Sequence, residues 1–170
     1  MHGGKRRKKS DYGQQLEEKQ KLKAVYGMLT DKQLLLAYKR AIKKSGNPIH
    51  NFIELLECRL DNIVYRLRFA GTIFAAQQLV SHGHILVNGK KVDIRSFQVK
   101  PGMTISLKDK SKKIKAVQAA VELTARDVPE YLSLEDKFTG KLLVNPEIDQ
   151  IPHPLVINVP LVCEFLAHTN

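Results

Sequence analysis

The sequence predicts an α+β fold. Two observations carry that reading: apolar residues recur at spacings of three and four from about residue 16 to about residue 81, and the pattern then switches to period two around an Asn88-Gly89 turn. A third concerns the end of the chain. Five of the seven prolines fall within residues 126–160, which therefore read as irregular structure with short strands such as 141–144.

In chain order, residues 1–10 combine two glycines with five consecutive cations, Lys5, Arg6, Arg7, Lys8 and Lys9. Like charges packed so densely resist folding alone, so the segment is either a solvated tail or a basic arm that orders against phosphate. Ser10 or Asp11 can cap a first helix with Leu16, Leu22, Val25 and Tyr26 on its apolar side. Lys19, Lys21 and Lys23 lie on its broad polar face, and Gly27 stops it as the residue beyond the C-cap. Thr30 or Asp31 opens a second helix, with Leu34, Leu35, Tyr38, Ala41 and Ile42 toward a core. Lys39, Arg40, Lys43 and Lys44 crowd its last turn, where the helix dipole favours each cation by ~0.3–1 kcal/mol. Gly46-Asn47-Pro48 then breaks the chain.

Residues 49–67 are the longest periodic segment and are expected to form one helix, through Ile49, Phe52, Ile53, Leu56, Leu60, Ile63, Val64 and Leu67. Arg59, Asn62 and Arg66 follow the same spacing on a different face. Gly71-Thr72 is a turn and N-cap, and a helix over about 73–81 ends at Gly83. Residues 84–87 and 90–94 alternate on either side of Asn88-Gly89, the strongest short hairpin signal, because both central positions of a type I′ turn need positive φ. Pro101-Gly102 turns the chain into a strand at 103–107. Residues 112–123 can be a short amphipathic helix, and 157–168 a closing helix with Pro160 near its first turn, or a strand. The organisation that follows is a basic arm at 1–10, the first part of a helical domain at 11–51, a compact helix–helix–sheet unit at 52–110, and a C-terminal region at 111–170.

Charge narrows the function. The chain of 170 residues carries 28 Lys and Arg against 17 Asp and Glu, a net +11. Residues 1–44 hold +9, residues 45–125 hold +6, and residues 126–170 hold −4. With a pI near 9.7, so one-sided a distribution points to a polyanionic partner, because each phosphate neutralised releases condensed counterions. No stretch approaches the ~18–20 apolar residues a membrane span needs, and no apolar run follows the basic N-terminus as in a signal peptide, so a soluble, cytoplasmic protein is expected. Cys58 and Cys163 are the only cysteines, too few for a disulfide framework or a CxxC metal site. Trp is absent and aromatics are 6%, so phosphate contacts and base-edge hydrogen bonds must outweigh stacking.

Catalytic signatures are missing. There is no Gly-rich phosphate loop and no GxSxG elbow. His82 and His84 stand two apart without further ligands at zinc-binding spacing. Arg59-Leu60-Asp61 resembles the nucleophile tripeptide of pseudouridine synthases, but no catalytic sheet of sufficient length surrounds it. No enzymatic activity, cofactor or metal is expected. RNA fits better: Arg59 and Arg66 offer bidentate donors for phosphate, and Asn62 can read or brace a backbone. His82, His84, Asn88, Lys90 and Lys91 gather around the junction of the 73–81 helix with the hairpin, suited to an A-form backbone, and Thr72 and Gln78 on that helix are further candidates. The arm, Tyr12, Lys19, Lys21 and Lys23 complete the candidate RNA-binding set.

The block Glu57-Cys58-Arg59-Leu60-Asp61-Asn62-Ile63-Val64-Tyr65-Arg66, then Phe69-Ala70, then Ala76-Gln77-Gln78-Leu79-Val80-Ser81-His82-Gly83-His84-Ile85-Leu86-Val87-Asn88-Gly89-Lys90, resembles the RNA-binding domain named after ribosomal protein S-four. The flanks extend the resemblance to the bacterial S-four ribosomal protein family. They are His2-Gly3, Arg7-Lys8-Lys9-Ser10-Asp11-Tyr12-Gly13, Gln15-Leu16, Glu18-Lys19-Gln20-Lys21-Leu22 and Tyr26-Gly27, with Val128-Pro129-Glu130-Tyr131-Leu132 and Val162-Cys163-Glu164-Phe165 near the end. A stand-alone RNA-binding protein carrying the same module, such as a ribosome-rescue or stress factor, is the alternative, and it would lack the two flanking blocks at 10–13 and 163–165.

The resemblance implies a structural constituent of the small ribosomal subunit. It would be a primary binder of the rRNA five-prime domain that nucleates assembly of the subunit body. It further implies neighbours that include ribosomal protein S-five, a place near the mRNA entry site, a contribution to translational accuracy and mRNA unwinding, and in some members repression of their own operon. The module would be an insertion in a domain made by the first helices and the C-terminal segment. Family members usually begin some tens of residues earlier, so the chain is expected to be N-terminally short. It departs from the pattern at Arg68, where a glycine is expected, at Ile73 and Gln77 in place of arginines, and at Arg95 in place of a proline. Arg68 and Arg95 could restore the charge lost at 73 and 77.

Overall fold

A computed structural model describes residues 10–123, 126–153 and 155–169. The helices are α1 (Asp11–Val25), α2 (Asp31–Lys43), α3 (Pro48–Glu57), α4 (Leu60–Arg66), α5 (Ile73–Ser81), α6 (Lys115–Glu122) and α7 (Val159–Ala167), and the strands are β1 (Ile85–Val87), β2 (Lys90–Lys91), β3 (Thr104–Leu107), β4 (Leu132–Asp136) and β5 (Thr139–Leu142). Short 3₁₀ turns cover Asp109–Lys113 and Ile148–Gln150. The α+β expectation is met.

Helix starts follow their local chemistry. The Ser10 hydroxyl accepts from Gly13 N at 3.1 Å, Thr30 and Gln33 form a reciprocal capping box, Asn47 caps α3, and Thr72 caps α5 by accepting from Ala75 N. Gly27 (φ +91°) and Gly83 (φ +78°) leave α1 and α5 in the left-handed region. Asn88 (φ +50°) and Gly89 (φ +82°) make the tight turn between β1 and β2.

The expected single helix over 49–67 is two helices. Arg59 sits between them with extended backbone, as the N-cap of α4. A segment from far along the chain holds the break open: Leu60 N donates to Phe97 O, Asp61 N to Arg95 O, and Val99 N to Cys58 O. These bonds replace helical ones, so Arg59 no longer shares a helix with Asn62 and Arg66.

All five strands form one antiparallel sheet in the order β2-β1-β3-β5-β4. The sheet therefore continues past residue 110. Ile105 faces Gly140 across β3 and β5, and Leu132 faces Leu142 across β4 and β5. Helix α7 lies along α1, with the Phe165 ring 5.7 Å from that of Tyr12 and 4.8 Å from the Lys19 ammonium. One continuous core runs through Tyr26, Phe52, Ile63, Phe69 and Tyr131, joining helices, module and C-terminal strands.

Candidate nucleic-acid interface

The centre of the molecule is a buried carboxylate. Glu57, the last residue of α3, accepts from Arg66 Nε at 2.8 Å and Nη2 at 3.1 Å, from Tyr26 Oη at 2.8 Å and from Tyr131 Oη. Asn62 Nδ2 donates to the Glu57 carbonyl at 2.7 Å, and His153 Nε2 lies 2.8 Å from Tyr26 Oη. Burial alone would raise the Glu57 pKa, but the Arg66 charge and the hydrogen bonds of Arg66, Tyr131 and Tyr26 outweigh it and hold the carboxyl below its usual value. Arg59 turns onto Asp61 in the same way, with Nε–Oδ1 at 3.1 Å and Nη2–Oδ2 at 3.0 Å.

This corrects the expectation that Arg59, Asn62 and Arg66 face RNA. All three are buried, at 6%, 1% and 8% exposure, and their polar groups hold the break between α3 and α4. Burying a guanidinium requires a partner carboxylate, and Asp61 and Glu57 supply it. Three-and-four spacing reveals a shared face without revealing what covers it.

The lysines of α1 are also engaged within the chain. Lys19, 7% exposed, is 3.0 Å from Asp31, Lys23 is 2.9 Å from the same carboxylate, and Lys21 pairs with Glu18 at 2.7 Å. Hydrogen bonds from Lys23 and Lys19 hold the Asp31 carboxyl below its usual range. Tyr12 is exposed beside Phe165. The arm residues Lys5, Arg6, Arg7, Lys8 and Lys9 lie outside the described residues.

The remaining candidates do come together. Gln78 projects from the outer face of α5 and His82 caps its C-terminus, His84 enters β1 beside them, and the three line one cleft. Lys90 and Lys91 are exposed on β2, and the Lys91 stem passes close over Gly83. Thr72 and Asn88 have structural duties: Thr72 caps α5, and Asn88 Oδ1 accepts from Thr104 N, tying the turn to β3. Lys108 and Lys110 belong to this surface too. Burial lowers the His84 pKa, and His82, Lys108 and Lys110 lower it further. The run of lysines after β3 was the signal for them, but only pairing of β3 with β1 brings it beside His84.

The departures from the family pattern acquire physical reasons. Arg68 occupies the left-handed region at φ +67°, where a glycine would be unstrained. Its Nη1 donates to Arg126 O at 3.1 Å. Gln77 Nε2 donates to Gly27 O at 3.1 Å, and Ile73 lies near the same glycine, so positions 73 and 77 dock α5 on the end of α1. Arg95 donates to Gln77 O and Ser81 Oγ, which returns a cation to the last turn of α5.

A helix and hairpin presenting histidines, an amide and a rim of lysines, braced on a helical domain, define a protein of the nucleic-acid-binding class. Comparison with known proteins agrees. Residues 58–105 match the family model for the S4 domain, and residues 1–57 match that for the ribosomal protein S4/S9 N-terminal domain. The boundary at 57/58 falls at the break between α3 and α4. The small ribosomal subunit protein uS4 of Protochlamydia amoebophila is 62% identical over 171 residues, covering 100% of this chain and 83% of the relative. The proteins of that name from Chlamydia trachomatis serovar D and Chlamydia pneumoniae are 62% and 60% identical over 172 residues, covering 99% of this chain and 82% of each relative. The chain belongs to the uS4 family of small ribosomal subunit proteins.

Proposed function

We propose that the chain is a structural constituent of the small ribosomal subunit and binds the subunit's rRNA. The outer face of α5, the β1–β2 turn and the lysines after β3 form the contact surface. The observation that carries this reading is the match over the whole chain, at 62% identity, to a protein named small ribosomal subunit protein uS4. The cationic rim around His82 and His84 supports it, because neutralised phosphates drive RNA association. The family is a structural one, and no catalytic step is assigned to any residue.

The finer reading follows the family resemblance. The chain docks early on the five-prime domain of the rRNA, at a junction of helices, and nucleates the subunit body. It lies beside ribosomal protein S-five and close to incoming mRNA, contributes to translational accuracy, and works in the cytoplasm. The five cations at residues 5–9 add to the phosphate-neutralising charge.

Sedimentation of a tagged chain through sucrose gradients tests the proposal. Co-migration with small subunits, and protection of a rRNA junction in the five-prime domain from chemical probing, are expected. Stable association with large subunits alone would overturn it.

A further inference from the structure

The cleft between α5 and α6 differs from the lysine rim around it. It encloses about 230 Å³. Phe69, Leu79, Ile114 and Val117 make its walls apolar, whereas Gln78 and His82 are exposed at its mouth and His84 is half-buried there. His84 Nδ1 lies 2.8 Å from the Oγ of buried Ser111, which orients the ring and leaves Nε2 for another partner. Among the described residues, no carboxylate lines the cleft.

Each simple occupant fails on one count. A phosphate alone has no use for apolar walls, and an apolar side chain leaves the histidine and amide edges unmatched. A planar group with apolar faces, a hydrogen-bonding edge and an attached anion satisfies all of them. The volume lies between the ~150 Å³ cavity that binds a single benzene ring and the ~300 Å³ lower bound for drug-sized ligands, a scale that suits one heterocycle. We infer that this cleft receives one unstacked base of the bound RNA, its edge met by Gln78 and the His84 imidazole, with flanking phosphates on Lys108 and Lys110. The inference rests on the rRNA-binding reading and adds a base-specific contact to it. Single-stranded RNA is commonly read in this way, by bases splayed from the stack into protein pockets.

Plugging the cleft tests it. Ala75 on α5 and Ala116 on α6 line the cleft, and Ala75→Leu and Ala116→Leu retain high helix propensity. With an rRNA fragment spanning the five-prime domain, each variant should bind about 5- to 100-fold more weakly, the range expected when one buried apolar group and its hydrogen bonds are lost. The salt slope should fall by no more than the two phosphates on Lys108 and Lys110 account for, and one nucleotide protected by the unmodified protein should become reactive to base-specific probes. Gln78→Ala, at an exposed position, should expose the same nucleotide, and it decides the matter if the leucine variants fail to fold. Unmodified affinity and an identical footprint in the folded variants would overturn the inference. Failure of the unmodified chain to bind the fragment at all would overturn the rRNA-binding reading instead.

Discussion

Arg66 grips both carboxylate oxygens of Glu57 inside the protein, 2.8 Å from one and 3.1 Å from the other. The pair joins the end of α3 to the end of α4, and Tyr26 and Tyr131 tie α1 and the approach to β4 to the same carboxylate. Removing one partner leaves the other charged and buried. Arg66→Ala is therefore expected to cost about 3–5 kcal/mol in urea unfolding, and Tyr131→Phe about 1–2 kcal/mol. An unfolding midpoint unmoved by Arg66→Ala would contradict the bracing role.

The same network sets a pH dependence. Glu57 has a folded pKa below its unfolded value of about 4.3–4.5, so its contribution is complete above that pH and is lost as pH falls through the depressed folded value. Burial raises Tyr26 and Tyr131, and the Glu57 charge raises them further. Above about pH 10 the unfolded chain releases protons that the folded protein keeps, so stability falls as pH rises. Urea midpoints measured across pH should decline at both ends. Tyr131→Phe should shallow the alkaline limb and Glu57→Gln the acid one.

Gly27 and Gln77 make a second joint, between α1 and α5. A Cβ on Gly27 would fall 3.2 Å from Ile73 Cγ1 and against the Gln77 amide, at a φ of +91°. Gly27→Ala should cost about 1–2 kcal/mol for the left-handed backbone and a further ~1–3 kcal/mol for overpacking. Adding Gln77→Ala should recover part of the second cost and none of the first. Strictly additive midpoints in the double variant would show that the two residues do not meet.

Arg68 separates backbone strain from side-chain contact. At φ +67° any residue with a Cβ is strained, so Arg68→Gly should be more stable than Arg68→Ala by about 1–2 kcal/mol. Both lose the hydrogen bond to Arg126 O, and their difference isolates the backbone. Equal thermal midpoints for the two would rule out strain at this position.

What the sequence disclosed was mostly local. Ser10, Thr30 and Thr72 cap within three residues of themselves, and Asn88-Gly89 supply the positive φ of their own turn, so the starts of α1, α2 and α5 and the β1–β2 turn were legible. The break at Arg59 was not, because Phe97, Arg95 and Val99 make it and periodicity carries no trace of them. Nor was the inward turn of Arg59 and Arg66, since a guanidinium suited to phosphate suits a buried carboxylate equally well. Gln78, His82 and His84 were found because the α5–β1 junction is short. Lys108 and Lys110 join them only through the pairing of β1 with β3.

Salt dependence distinguishes cations that face RNA from cations that brace the fold. Lys90 and Lys91 are exposed on an edge strand, so replacing both with alanine should leave the unfolding midpoint in place. It should also reduce the slope of log affinity against log salt by about 1.5–2. Replacing residues 5–9 with alanine should reduce that slope by up to about five counterions' worth, whereas an unchanged slope would make the arm a solvated tail. Arg59→Ala should behave oppositely. The Asp61 carboxylate then loses its bidentate partner, stability falls, and the protein that remains folded keeps the unmodified slope. A lower slope with full stability in Arg59→Ala would return that residue to the RNA-binding face.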